Sequence, residues 1–220
     1  MRQIIEAAAP AHAIIGEEFG TKNGSAAYTW ILDPVDGTIS LSTGKNTFTT
    51  LIALMDGHAF ALGVIDQPVL QERWIGGAGQ ATTLNGVPVK TKANTHLQKA
   101  SLSTTTPDTF RTLRDQASFE RLRREVQITS YGGDCYHFGL LASGHIDLII
   151  ERGFQLYDFA PLVPIVEGAG GVITDWQGRP LTAHSRGDIL ASANRELHDQ
   201  ALAIITAGGC SARNRKKQVA

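Results

Sequence analysis

The chain has 220 residues, 42% hydrophobic and 19% charged, enough to bury a core as one large domain or two small ones. Lys and Arg number 20 against 21 Asp and Glu, and Arg213, Arg215, Lys216 and Lys217 supply four of those cations, so the body before them is mildly acidic and disfavours general nucleic-acid binding. No apolar run approaches bilayer length, the start MRQIIEAAAP resembles neither signal peptide nor membrane anchor, and Cys135 and Cys210 follow no ligand spacing; a reduced compartment, the cytoplasm, is expected.

Residues 2 to 9 predict the last turns of a helix that Pro10 stops, as though its beginning were cut. AIIGEEF leads into an acidic pair, and YTWIL predicts a strand. In TFTTLIALMDGHAFALGVIDQP two apolar runs meet at Asp56-Gly57, the strongest hairpin signal of the chain. QERWIGGAGQATTLNGVPV adds short strands, with Asn85-Gly86 as a turn. Residues 1 to 90 are therefore expected to form an N-terminal α+β lobe built on antiparallel sheet.

Composition changes after KTKANTH. ASLSTTT predicts a strand, SFERLRREV a helix, DCYHFGLLASG a helix stopped at Gly144, and HIDLIIE a strand. YDFAPLVPIVEGAGG predicts one helix broken off by glycines, although nothing local explains Pro164 inside it. VITDWQG and DILASA predict strands and NRELHDQALAIIT a closing helix, so residues 91 to 210 are expected to form an α/β lobe. The basic residues 211 to 220 predict a disordered tail.

The stretch WILDPVDGT at 30 to 38 carries the chemistry. Asp33 and Asp36 bracket Pro34, and Gly37 permits a sharp exit, so both carboxylates can turn toward one point beyond the strand. Like charges that close repel unless a cation sits between them, and with no His or Cys nearby the donors suit Mg²⁺, Mn²⁺ or Ca²⁺. The competing reading is a turn in which the two aspartates cap backbone amides. Glu17 and Glu18 form a second acidic pair, Asp158 opens a later helix, and Gly37 and Thr38 offer amides and a hydroxyl to an anion. Together these predict metal-dependent phosphate hydrolysis.

Three segments, GEE at 16 to 18, WILDPVDGT at 30 to 38 and YDFAPLVPIVEGAGG at 157 to 171, resemble the signatures of the inositol monophosphatase family of magnesium-dependent phosphatases. TLIAL, GVIDQPVLQERWIG and YGGDCYHFGLLASGHIDLIIE are similar to its histidinol-phosphate phosphatase branch. The resemblance implies a layered αβαβα sandwich, lacking here the family's first helices and a loop that helps hold a third metal. It implies Glu17, Asp33, the carbonyl of Val35, Asp36 and Asp158 as ligands of two Mg²⁺ ions, possibly three, with Mn²⁺ able to substitute. Glu18 would support Glu17, Gly37 and Thr38 would bind the phosphate, Thr38 would orient the attacking water, and Glu151 would contact the substrate.

The mechanism expected is in-line attack of metal-activated water without a phosphoenzyme, with Glu17, Asp33 and Thr38 as the catalytic set. Histidinol phosphate is cationic, so Asp134 and Glu151 would favour it over sugar bisphosphates; Asp134 could also cap the helix that follows it. Histidinol-phosphate hydrolysis, a step of histidine biosynthesis, is the leading expectation. Inositol phosphates or nucleotide 3'-phosphates are the alternative within the family, and a catalytically silent metal-binding scaffold is the alternative outside it. The expected partners are a small phosphomonoester and a second copy of the chain in a homodimer, with no nucleic acid and no membrane. Trp30, Trp74 and Trp176 are expected in the sheet core and its edges, and Glu72 and Arg73 as a strand-edge pair.

Overall fold

The computed structural model describes residues 1–207 of the chain. The expected tail at 211 to 220, and Cys210, lie outside the described residues.

Helix α1 (Arg2–Ala8) ends just before Pro10, which lacks the N–H to continue it. The strands that follow are β1 (Ala13–Gly16), β2 (Gly20–Lys22) and β3 (Tyr28–Asp36). A short helix, α2 (Thr38–Ser42), separates them from β4 (Thr49–Asp56), β5 (Ala59–Gln67), β6 (Glu72–Gly77), β7 (Thr83–Leu84) and β8 (Val87–Pro88). These eight strands form one sheet in the order β2-β1-β3-β4-β5-β6-β7-β8, antiparallel except where β1 runs parallel to β3.

The chain continues through β9 (Ser101–Thr104), α3 (Leu113–Glu125), β10 (Ile128–Tyr131), α4 (Tyr136–Ala142), β11 (Leu148–Glu151), α5 (Leu156–Phe159), α6 (Leu162–Gly168), β12 (Val172–Asp175), β13 (Ile189–Ser192) and α7 (Arg195–Thr206). The second sheet has the order β10-β9-β11-β13-β12. Strand alternation sorts its two faces. Ile149, Ile173 and Ile189 point toward the first sheet and pack with Phe138, Leu141, Phe159, Leu162 and Ile165 from α4, α5 and α6, and with Ile31, Leu51, Ile65 and Trp74 beyond them. Leu148, Ile150 and Leu190 point the other way, against Phe119 and Leu122 of α3 and Leu197, Ala201 and Ile205 of α7. Sheet, helix layer, sheet and outer helix layer are thus stacked, the layered sandwich implied by the sequence. None of the described helices is long and apolar enough to cross a membrane.

Several local expectations are corrected. Asp56 pairs with Ala59, so the hairpin turn is Gly57-His58, one residue later than read, with Gly57 at φ 60°. The single helix expected across 158 to 169 is two, α5 and α6, broken at Ala160-Pro161. Pro164 then falls in the first turn of α6, where an N–H would have no acceptor within the helix; this removes the objection to it. Strand β10, an edge strand with Ile128 and Tyr131 exposed, is not among the strands expected from sequence. Glu72 and Arg73 do not pair with each other: Tyr136 donates to Glu72 at 2.7 Å, and Arg73 meets Asp66 at 2.6 Å. Trp74 and Trp176 are buried, while Trp30 is half-buried and donates to His12 Nδ1 at 3.0 Å.

Candidate metal centre

The two aspartates of WILDPVDGT reach one point because of a β-bulge. In a regular strand, residues three apart face opposite sides of the sheet. Here Asp33 pairs with Leu51 and Asp36 with Thr49, so Pro34 and Val35 together oppose the single Thr50. The extra residue returns Asp36 to the side of Asp33. It also places Pro34, which has no N–H, where the ladder asks for none, and the Pro34 carbonyl accepts instead from Thr50 Oγ1 at 2.8 Å.

Asp158 arrives from the helix layer. It is the third residue of α5, and its Oδ2 accepts from the Gln155 N–H at 2.6 Å in a reciprocal capping box. One carboxylate oxygen each of Asp33, Asp36 and Asp158 lies within 4.8 Å of the others. Asp36 Oδ2 accepts from the Cys135 N–H at 2.9 Å and Thr49 Oγ1 at 3.1 Å, and Asp33 Oδ1 from the Val35 N–H at 3.0 Å.

Crowding buried carboxylates raises their proton affinity. Asp33 is pushed up to about 8 by burial, then by the charges of Asp36 and Glu17 beside it. Burial raises Asp158 to about 7 against the help of the Gln155 N–H, and Asp36 to about 6 against that of Cys135. An all-oxygen donor set of like charges within one small space is what a hard divalent cation fits, since it removes the repulsion that these shifts record.

The other expected residues surround this cluster. Glu17 is exposed, follows β1, and lies near enough to Asp33 for its charge to raise that carboxyl; Glu18 is exposed beside it. Val35 lies in the bulge. Gly37 adopts φ 79°, a conformation that favours glycine, and starts α2, which leaves the Thr38 N–H without an intrahelical acceptor. Asp134 does not cap α4, whose N-cap is Cys135; its Oδ2 accepts instead from Ser40 Oγ of α2 at 2.6 Å. A side chain at Gly37 would place Cβ 2.8 Å from that same Oδ2. Glu151 is buried and turned onto β9 and the residue after it, accepting from the Thr105 N–H at 2.6 Å, Thr105 Oγ1 at 3.0 Å and Thr104 Oγ1 at 3.3 Å. Burial raises it to about 8, with the nearby Asp134 charge contributing.

Sequence reasoning missed Thr49, Cys135, Gln155 and Ser40. Only the position of Gln155, three residues before an acid at a helix start, carried a sequence signal. His137 is half-buried, bonded to Ser103 Oγ and laid against Gly133, so it helps hold the loop that carries Asp134.

A layered α/β sandwich with a carboxylate cluster at the junction of a sheet strand and the helix layer has the donor set to hold a divalent cation. The model of the inositol monophosphatase family matches residues 1–208, and the chain belongs to that family. It is 46% identical over 202 residues to the bifunctional phosphatase IMPL2, chloroplastic, of Arabidopsis thaliana, covering 88% of this chain and only 58% of the plant protein's length. It is 34% identical to the histidinol-phosphatase of Chlorobaculum parvum, covering 94% of this chain and 80% of that one. Among solved structures, an inositol monophosphatase from Zymomonas mobilis superposes with a TM-score of 0.87 at 42% identity, covering 93% of this chain and 79% of that one.

Proposed function

We propose that this chain is a Mg²⁺-dependent phosphomonoesterase acting on the phosphate of a small polar alcohol. The observation that carries the reading is the meeting of Asp33, Asp36 and Asp158 within 4.8 Å, with all three carboxyls raised by burial. Glu17, Asp33, the Val35 carbonyl, Asp36 and Asp158 would hold two or three Mg²⁺ ions, or Mn²⁺ in their place. Bound there, the cations supply charge neutralisation for the phosphate and acidity for water. The chain's own groups complete the reaction. Thr38, exposed at the start of α2, orients the water with Glu17, and Glu18 supports Glu17. Gly37 and Thr38 donate N–H groups to phosphate oxygens. Asp33, engaged as a ligand, is not the nucleophile.

Inositol monophosphate is the first substrate reading, since the 42% identical Zymomonas protein is an inositol monophosphatase. Histidinol phosphate is the second, favoured by the Chlorobaculum relative and by Asp134, an acid that suits a cationic alcohol; Glu151, buried, bonded to Thr104 and Thr105 and raised to about 8, adds no charge at neutral pH. Phosphate release measured with both, and with a nucleotide 3'-phosphate, tests the order. Preference for inositol monophosphate supports it, preference for histidinol phosphate reverses it, and preference for the nucleotide overturns both. A homodimer is part of the proposal, supported by the exposed edge of β10, and a monomeric mass in solution contradicts it.

A further inference from the structure

The segment that caps Asp158 has a second face. From Arg152 to Gln155 it forms one wall of a cleft of about 670 Å³, into which Arg111 and Arg186 also project. Arg152 is fixed. It pairs with Asp115 at 3.3 Å and with Asp188, and its guanidinium lies 5.5 Å from the Trp176 ring. Both acids of the cleft are therefore already engaged. Arg111 and Arg186 have no carboxylate within ion-pair distance among the described residues. The cleft thus sets three guanidiniums against two carboxylates, a net positive charge in a chain whose body is acidic, and its two unpaired guanidiniums suit an oxyanion that can accept from both.

We propose that this cleft is a second binding site, distinct from the carboxylate cluster, for a small dianion of the dicarboxylate or phosphate type. None of its lining residues is an expected metal ligand, and Gln155, whose N–H donates to Asp158, links the cleft to the cluster.

The test uses metal-free protein, in which no cation draws an anion to the carboxylate cluster, and the double variant below assigns saturable anion binding to the cleft whether or not the chain proves to be a phosphatase. Malonate and inorganic phosphate are titrated separately against acetate at matched ionic strength, following the thermal midpoint. The site predicts a saturable rise of about 3–6 °C at ten times Kd with at least one of the two, and its loss in the Arg111→Ala/Arg186→Ala double variant. Both side chains are exposed, so the variant is expected to keep the wild-type midpoint without ligand. Which probe acts distinguishes a carboxylate ligand from a phosphate one. No rise beyond that with acetate, or an equal rise in the double variant, overturns the proposal.

Discussion

At the scale of single residues, Asp134 and Gly37 occupy each other's limits. Asp134→Asn keeps an oxygen for Ser40 but removes a charge from the mouth of the site. It should raise KM for histidinol phosphate several-fold with kcat nearly kept, and leave KM for inositol monophosphate unchanged; initial-rate kinetics with both substrates decide, and equal effects would remove Asp134 from substrate reading. Gly37→Ala should cost about 1–3 kcal/mol, because φ 79° and an oxygen 2.8 Å from the new Cβ act together. Chemical denaturation measures it. The aspartates were legible because two acids bracketing proline and followed by glycine make a poor plain strand. Their partners were not: Cys135 reaches Asp36 across 99 positions of chain, through a backbone N–H that any residue but proline would supply. The side-chain direction of Asp134 depends on its own φ of 45°, which an aspartate does not advertise.

At the scale of elements, the helix layer sits close to the first sheet because glycines let it. Gly63 and Gly76 are cross-strand neighbours on β5 and β6, and a Cβ at either would collide with the backbone between Pro161 and Ile165. Gly76→Ala, whose Cβ would lie 2.5 Å from the Pro164 carbonyl, should destabilise by about 1–3 kcal/mol, lowering the midpoint by roughly 2–4 °C per kcal/mol. An unchanged midpoint would mean that α6 is free to move outward. Strands and helices with strong periodicity were readable from sequence. Strand β10 was not, because it is a short edge strand with three of four residues exposed, so it lacks the alternation that marks a half-buried strand. The break between α5 and α6 was signalled by two prolines, but only the packed structure shows that Pro161 caps a new helix and that Pro164 lies in its first turn.

At the scale of the whole molecule, the site lies where a sheet strand and the helix layer meet, and its charges oppose folding until a cation arrives. Asp33 and Glu151 near 8, Asp158 near 7 and Asp36 near 6 retain protons in the folded, metal-free chain that the unfolded chain has released above pH 5. The folded state then binds more protons than the unfolded one, so stability falls as pH rises from about 4 to 8. Thermal midpoints without metal should therefore decline from pH 5 to 8, and Mg²⁺ should raise them more at pH 8 than at pH 5; a flat profile would mean that the carboxyls are not crowded as described.

The central claim is that this cluster hydrolyses phosphomonoesters through a bound divalent cation. The most direct measurement is phosphate release at neutral pH against Mg²⁺ concentration, for the wild-type chain and Asp36→Asn. Release should saturate with Mg²⁺, stop with a chelator, and fall about 100-fold or more in the variant while its fold is retained. Release that ignores Mg²⁺, or that survives Asp36→Asn unchanged, would contradict it.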